Sequence, residues 1–359
     1  MFSVYFIGGS YMGCWYVRCF LPLLENGWSG NYRGLKKELK PINQIMNEAS
    51  LADIIVFHRA DTVEHHKVAI ALKEMGKKIV FDNDDTFKID KTHAFYNLDD
   101  AGFKQNVIYK NNLINNFIRN ADLVTASTEY LAREYREINP NVIVLPNCVN
   151  KDDWDKPLRN TGKKIRIGVV GSTAYYHDFD IIKPVLEKLD KRDDVQLVMF
   201  GLPNDNLRDK NPLANKVHKR EFGFWDKLKN LEHVGWCEMV DYFTTLNELR
   251  LDILLIPRRE SEFNKAKSNV KFLEASMLEI PCIVSSFKNG PYEKDKEALI
   301  YIKDNTEQSW LKAINKLVDN KTLRRELGKK ARKYVLKNYN IKTKAHLWRD
   351  AYKKLYEKN

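Results

Sequence analysis

Two lysines, a serine and a glutamate lie within eight residues of each other in the second half of the chain. Lys267 and Ser268 come directly before an apolar helical pattern, and Lys271 and Glu274 fall one and two turns into it. A helix N-terminus with unpaired N–H groups, a hydroxyl and lysines can bind a phosphorylated ligand. A carboxylate farther along the same face suits a pair of sugar hydroxyls. The alternative is an ordinary capped helix with solvated lysines.

The elements that would position this cluster form a strand, loop, helix, strand unit. An unbroken apolar run at 253–256 stops at Pro257, which is typical of a strand buried on both faces. A polar loop leads into the helical pattern. Pro281 ends that pattern, and a second short buried strand begins at Cys282.

Two further features could contact a phosphate. A predicted strand over 165–170 runs into Gly171-Ser172-Thr173, whose backbone could approach a ligand closely. Either Arg258 or Arg259, at the end of a buried strand, could contact phosphate in a bidentate manner. Both could equally be solvated surface groups.

An acidic segment stands in the first half. The predicted strand 78–81 runs directly into Asp82-Asn83-Asp84-Asp85, and α/β proteins bind ligands at the C-terminal ends of their strands. These side chains could bind sugar hydroxyls. Asp82 and Asp84 could instead hold a divalent cation, or the segment could be an acidic turn that caps a helix.

Strands and helices alternate along the whole chain, which predicts parallel sheets covered on both faces. The stretch from Asn150 to Lys164 is polar and contains Pro157 and Gly162. We therefore place a domain boundary there, between two similar α/β halves. From about Thr306 onward the pattern is helical and rich in lysine and arginine.

Composition limits the class of protein. Hydrophobic residues make up 43% and charged residues 30% of the chain, as expected of a soluble globular protein. Five cysteines without a CxxC pair predict reduced thiols and a cytoplasmic location. No apolar run is long enough to span a bilayer. The net charge of +12 could steer nucleic acid, anionic lipid or nucleotide phosphates, or could simply reflect abundant scattered lysines.

Five segments together resemble the GT-B glycosyltransferases, in particular their retaining "family four"-like group. Their patterns are Y-x-R-x-x-x-P, a strand followed by D-x-D-D, a strand followed by the residues that lead into the interdomain linker, G-S-x5-D, and K-S-x-x-K-x-x-E. They lie at 16–22, 79–87, 121–150, 167–179 and 234–286.

The resemblance implies two Rossmann-like domains that face each other across a cleft, an α/β fold. It places the acceptor-side domain at 1–155 and the nucleotide-sugar domain at 156–335, with a C-terminal helix at 336–359 that returns to the first domain. It implies transfer of a sugar from a UDP-sugar or GDP-sugar with retention of anomeric configuration, without a metal or other cofactor. A cell-envelope or lipid-linked glycan is the expected acceptor, and peripheral contact with a membrane stays open.

The resemblance also assigns roles to residues. The catalytic candidates are Lys267, Ser268, Asp84 and Asp85. The donor-binding candidates are Gly171, Ser172, Thr173, Trp236, Arg258, Asn264, Asn269, Lys271 and Glu274. The acceptor-binding candidates are Gly9, Ser10, Arg18 and Arg59.

The chain departs from the family pattern once in the first half, where the family's catalytic-side histidine has no clear match and Asp84 or Asp85 could take its place, and at two positions in the second half. Glu274 matches the second carboxylate of the usual E-x7-E pair, but Ala266 stands where the first would be. Lys267 and Ser268 are expected to act in its place. Glu279-Ile280-Pro281 replaces the usual G-x-P after the helix.

Four alternatives remain open at this stage. The basic charge allows a DNA acceptor with a hydroxymethylated base, which would have to be flipped out of the duplex. The missing glutamate allows a non-enzymatic nucleotide-binding or partner-docking protein. A nucleotide-sugar isomerase would use the same ligand without an acceptor. The Asp82-x-Asp84 pair allows the metal-dependent GT-A type of transferase.

Overall fold

The computed structural model describes residues 2–8, 13–32, 40–86, 88, 101–172, 175–202 and 221–358. Three of the predicted site residues, Gly9, Ser10 and Thr173, lie outside these ranges. Within them the chain forms two six-stranded parallel sheets, so the predicted two-sheet α/β fold is confirmed.

The first sheet has the strand order β2-β1-β3-β4-β5-β6. Its strands are β1 (Val4–Gly8), β2 (Ser29–Gly30), β3 (Ile54–His58), β4 (Lys78–Asn83), β5 (Leu123–Ala126) and β6 (Val142–Val144). All neighbours are parallel, and His58 lies opposite Asp82 at the C-terminal edge. That edge therefore brings together the residues that follow β3 and β4.

The second sheet has the order β12-β11-β10-β7-β8-β9. Its strands are β7 (Ile165–Val170), β8 (Val195–Leu202), β9 (Leu231–Gly235), β10 (Ile253–Ile256), β11 (Cys282–Ser285) and β12 (Ile300–Ile302). The order reverses between β7 and β10, which is the Rossmann arrangement with its crevice beyond the ends of those two strands. The loops after β7 and β10 carry Gly171 and Arg258.

Helices cover both sheets. Those of the first half are α1 (Gly13–Trp15), α2 (Leu21–Asn26), α3 (Ile42–Leu51), α4 (Val63–Glu74), α5 (Ala101–Asn120) and α6 (Glu129–Arg136), and a π-helical turn, Tyr16–Phe20, joins α1 to α2. Those of the second half are α7 (Tyr176–Phe179), α8 (Lys183–Leu189), α9 (Met239–Glu248), α10 (Glu262–Ala266), α11 (Val270–Met277), α12 (Glu307–Val318), α13 (Lys321–Asn338), α14 (Ile341–Lys344) and α15 (His346–Glu357). Residues 221–225 are also helical, and short 3-10 turns lie at Lys151–Asp153 and Glu293–Ala298. In the described part of the chain, no helix combines the length and apolar character needed to cross a membrane.

Each sheet is buried on both faces, as its continuous apolar strands predict. In β3, Ile55 and Phe57 join the apolar cluster on one face, whereas Ile54 and Val56 join the cluster on the other face. In β10, Ile253 and Leu255 are separated from Leu254 and Ile256 in the same way. The sheets therefore form rigid layers, and only their edges are free to carry chemistry.

The last two helices pack on the first sheet. Trp348 and Tyr352 of α15 belong to the same apolar cluster as Val4 and Phe6 of β1, and both rings are fully buried. The chain thus crosses between the halves twice. The two crossings touch, because Val149 and the segment around Asn340 form a parallel β-bridge.

The Glu279-Ile280-Pro281 departure has a structural consequence. Glu279 has φ +56°, in the left-handed region that favours glycine. Helix α13 packs so closely here that a Cβ atom on Gly328 would lie 1.9 Å from the Glu279 carbonyl oxygen. Glu279 also forms ion pairs with Arg159 and Arg332. These contacts stabilise a turn that a glycine would adopt without strain.

Candidate active site

A cleft of about 380 Å³ lies between the C-terminal edges of the two sheets. Its first-half wall is formed by Gly13, Cys14, Val17, Arg59, Asp84, Asp85 and Asn147. Its second-half wall is formed by Val170, Gly171, Ser172, Tyr175, Phe200, Gly201, Trp236, Cys237, Glu238, Met239, Tyr242, Arg258, Lys267, Ser268, Val270, Lys271 and Glu274. The two predicted clusters therefore face each other.

The shortest charged contact across the cleft joins Lys267 to Asp85. The Lys267 Nζ atom donates to both carboxylate oxygens, at 2.9 and 2.7 Å, and also lies 4.0 Å from the centre of the Phe263 ring. Burial opposes the charge on Lys267, but Asp85 and Tyr175 together outweigh burial and raise the pKa of the lysine. Beside this pair, Asn147 donates to the Ser268 hydroxyl at 2.9 Å. Both predicted residues before α11 thus contact the other half.

Arg59 completes the acidic side of the cleft. Its Nε atom donates to Asp84 at 2.7 Å, and its guanidinium lies 3.4 Å from Asp85. Burial disfavours the charged form of Asp84, but Arg59, His58 and Arg18 together outweigh burial and hold the pKa of that carboxyl far below its usual range. Arg59 has φ +51°, an uncommon value for a residue other than glycine. Its left-handed backbone turns the side chain back over the two aspartates.

Behind these residues lies a fully buried ion pair. Arg18 binds both oxygens of Asp82, at 3.1 and 2.5 Å, and is itself 0% exposed. Thr125 and His58 Nδ1 also contact Asp82. Among the described residues, His58 Nε2 has no hydrogen-bond partner and lies 3.9 Å from the Asp84 carboxylate. Arg18 was predicted to contact the acceptor, but the structure places it behind the cleft wall, where it supports the acidic segment.

On the opposite wall, Lys271 and Glu274 form one network with Tyr242. The tyrosine hydroxyl donates to Glu274 at 2.7 Å and accepts from Lys271 at 2.8 Å. Lys271 also donates to Glu274 at 3.1 Å. Burial alone would lower the pKa of Lys271, but Glu274, Tyr242 and Tyr175 together outweigh burial and raise it. The two predicted donor-site residues therefore act as one unit, with a tyrosine that sequence reasoning missed.

Arg258 lies in the same wall and is 4% exposed. It stacks on Tyr175, with the guanidinium carbon 3.8 Å from the ring centre, and donates to Asp178 at 3.0 Å. Its Nε atom has no hydrogen-bond partner among the described residues. A buried guanidinium with an unused donor in a cleft wall is suited to an anionic ligand.

Asp178 is a second residue that sequence reasoning missed. Besides Arg258, it binds the backbone N–H of Arg259 at 2.9 Å and the side-chain amide of Asn264 at 2.8 Å. It is the aspartate of the G-S-x5-D pattern, so a signal for it was present. Gly171 opens that pattern, and a Cβ there would come within 2.7 Å of Tyr175.

Two predicted donor-binding residues are directed away from the cleft. Asn264 is buried against Asp178, and Asn269 donates to the buried Asp295 at 2.7 Å. Both hold the loop before α11 in shape. Trp236, by contrast, lines the cleft and is 45% exposed.

The metal-clamp alternative fits this chemistry poorly. Both oxygens of Asp82 are engaged by Arg18, and Asp84 is paired with Arg59. Carboxylates neutralised by guanidinium groups are poor ligands for a divalent cation, which needs unshared oxygen charge.

Two Rossmann-like layers that face a cation-lined cleft define the GT-B class of glycosyltransferases. The sequence model of the family described as glycosyl transferases group 1 matches residues 150–334. That span is more than half of the chain, and the chain belongs to this family. The predicted enzyme class is thereby confirmed, and the "family four"-like grouping is consistent with it.

Solved structures show the same fold at low identity. HepE from Anabaena, in complex with UDP and glucose, is 12% identical with a TM-score of 0.67, over 98% of this chain and 100% of that one. Sucrose-phosphate synthase from Thermosynechococcus elongatus is 12% identical with a TM-score of 0.67, over 99% and 100%. An alpha-glucosyltransferase in complex with UDP is 11% identical with a TM-score of 0.67, over 99% and 100%. A sequence search of curated proteins found no match.

The buried pair behind the cleft gives a prediction with a defined pH dependence. Burial raises the pKa of Asp82, but Arg18 and His58 together outweigh burial and lower it from 3.8 to about 2. A lowered folded-state pKa stabilises the fold above the unfolded value of 3.8, and this stabilisation is lost as the pH falls through about 2. We expect Arg18→Met to lower the free energy of unfolding by about 3–5 kcal/mol at pH 7, since it removes the guanidinium that binds both oxygens of a buried carboxylate.

Urea unfolding of the parent and the variant at pH 7 and pH 3 measures this effect. The difference between the two proteins should shrink at pH 3, where Asp82 of the variant takes up a proton. The matched control is Arg18→Met combined with Asp82→Asn, which should lose less stability than the two single changes added together. A cost below about 1 kcal/mol, or one equal at both pH values, would contradict the assigned role.

Proposed function

We propose that this enzyme transfers a sugar from a nucleoside diphosphate sugar to an acceptor hydroxyl, with the diphosphate bound at the N-terminus of α11. The observation that carries the proposal is the convergence of Lys267, Arg258 and the Gly171 turn on one wall of the cleft. Negative charge develops on the leaving phosphate during sugar transfer, and fixed cations and N–H groups stabilise it most strongly. The unused Nε donor of Arg258 supports this assignment.

The donor nucleoside would lie along α11. Glu274 is held by Tyr242 and Lys271 at one side of its carboxylate, and the same oxygen, Oε2, accepts both bonds. Its other oxygen is then available for the ribose hydroxyl pair. Lys271 adds positive charge between the ribose and the phosphates.

The acceptor would approach from the first-half wall. Asp84 and Asp85 supply carboxylate acceptors for sugar or acceptor hydroxyls, and Arg59 limits their mutual repulsion.

We propose retention of configuration, in which the leaving phosphate takes the acceptor's proton. With Asp84 so strongly paired with Arg59, no unpaired carboxylate base stands among these groups, and this supports the proposal.

A thermal-shift screen of nucleotide sugars tests donor binding. A donor at about 100 times its Kd should stabilise the parent by about 2.7 kcal/mol. Lys267→Ala and Glu274→Ala should both reduce that stabilisation, and Lys267→Ala should lower kcat by about 10²–10³-fold, as expected for a lost phosphate-stabilising donor. Lys265→Ala is the matched control, because Lys265 pairs with Glu262 outside the cleft wall. The assignment is wrong if no donor raises the melting temperature.

Product stereochemistry tests retention. With an accepted donor, proton NMR of the first product formed should show the anomeric configuration of the donor. Chelation with EDTA should leave the rate unchanged. An inverted product would require a protein base and overturn this part of the proposal, and loss of rate in EDTA would reinstate a metal site.

The acceptor class is supported by where the basic charge lies. Residues 321–358 contain 14 Lys and Arg against 3 Asp and Glu. This segment therefore carries nearly all of the chain's net charge of +12. Lys329, Lys330, Lys333 and Lys337 of α13 are exposed. We propose that this surface contacts an anionic membrane that carries a lipid-linked or envelope-glycan acceptor. The DNA acceptor is the alternative.

Vesicle sedimentation distinguishes the two. The protein should bind vesicles that contain anionic lipid, with affinity that falls as salt rises, and should not bind neutral vesicles. Lys329→Glu with Lys333→Glu should weaken binding about 30-fold or more, at about 1 kcal/mol for each of the two lysine charges removed. Tighter, salt-dependent binding to duplex DNA than to anionic vesicles would favour the DNA acceptor instead.

A further inference from the structure

The cleft lining also includes Phe200, Gly201, Trp236, Cys237 and Glu238. This part of the lining adjoins the Glu274 network, because Tyr242 binds Glu274, stacks on Phe200 and lies in the helix that begins after Glu238. If Glu274 holds the ribose, as the proposed function requires, this part of the cleft receives the group attached to the ribose, which is the nucleobase. That assignment rests on the proposed function and deepens it.

Trp236 supplies exposed aromatic surface in this part of the cleft. Trp236 follows β9 and keeps 45% of its surface exposed. Phe200 stacks on Tyr242 with ring centres 5.6 Å apart and planes 21° apart, so that wall is preorganised next to Glu274. Gly201 has φ +97°, and a Cβ there would lie 3.1 Å from the Gly171 carbonyl oxygen, so this strand end packs directly on the Gly171 turn. A flat heterocycle that stacks on an indole is the ligand such a wall suits.

Glu238 adds a carboxylate to the cleft, which favours ligands that donate hydrogen bonds. It precedes α9 at the N-cap position, yet its side chain accepts no capping hydrogen bond. Among the described residues its carboxylate has no ion-pair partner, and it is exposed to the cleft. An ionised carboxylate only accepts hydrogen bonds. The base that fits it must therefore present donors.

Guanine presents two adjacent donors, N1–H and the 2-amino group, which match the two oxygens of a carboxylate. Uracil presents a single N–H between two carbonyl oxygens, so a carboxylate would meet acceptors on both sides. We propose that Glu238 is the base-selecting residue of this enzyme and that its donor is a guanosine diphosphate sugar. A site built around such donors discriminates strongly against a base that lacks them.

Isothermal titration with GDP, IDP, UDP and ADP tests the inference. IDP differs from GDP only by the missing 2-amino group, so the GDP-to-IDP ratio isolates one of the two bonds. A hydrogen bond to a charged group is worth about 1.5–3 kcal/mol, or about 10- to 150-fold in Kd. We expect the parent to bind GDP tighter than IDP by that factor, and UDP more weakly than either.

Glu238→Gln should reduce the GDP-to-IDP ratio to near one, because the amide replaces one acceptor with a donor. Asp241→Asn is the matched control: it removes a carboxylate from the first turn of the same helix, outside the cleft wall, and should keep the ratio. A ratio near one in the parent, an unchanged ratio in Glu238→Gln, or tighter binding of UDP than of GDP would overturn the inference and leave nucleotide-sugar transfer intact. Failure of all four nucleotides to bind would instead overturn the proposed function.

Discussion

The structure depends on a balance of charge across the cleft, of which the Lys267–Asp85 pair is the centre. Three cations of the second-half wall are each paired with a carboxylate: Lys267, Lys271 and Arg258. Such pairing makes the desolvation of these groups tolerable, because an isolated buried charge costs several kcal/mol. If the donor diphosphate binds at Lys267, as proposed, it competes with Asp85 for that lysine. Donor binding would then exchange one ion pair for another, and Asp85, in the first half of the chain, would keep its contact with Arg59.

This arrangement is possible because both sheets are closed to solvent on their faces and open only at their edges. Parallel strands buried on both sides supply a stiff frame, and the loops after β4, β7 and β10 start from fixed points. The buried Arg18–Asp82 pair anchors the first of these loops from behind, and Asp178 anchors the third. A short cross-cleft contact can persist only if both of its sides are held in this way.

The sequence predicts those parts of the site that depend on residues close together in the chain, and it does not predict contacts between residues far apart in the chain. The helix N-terminus at Lys267 and the acidic segment after β4 are local patterns, so their placement at the cleft could be predicted from apolar runs and prolines. The partners of single side chains could not be predicted in this way. Asp178 meets Arg258 across 80 residues, and Tyr242 meets Glu274 across 32. Arg18 shows the same limit in reverse, because a motif match gives no information on whether a guanidinium faces the cleft or the core.

The return of the final helices has a consequence for how the molecule can be divided. Trp348 and Tyr352 complete the core beneath β1, although they follow the whole second half in the chain. A fragment that ends near residue 150 would leave that apolar layer bare to water, and one that begins there would carry two amphipathic helices with nothing to cover. Neither half can therefore be isolated as one continuous piece. Proteolytic cleavage near residue 340 would destabilise the first half, although that half lies at the other end of the chain.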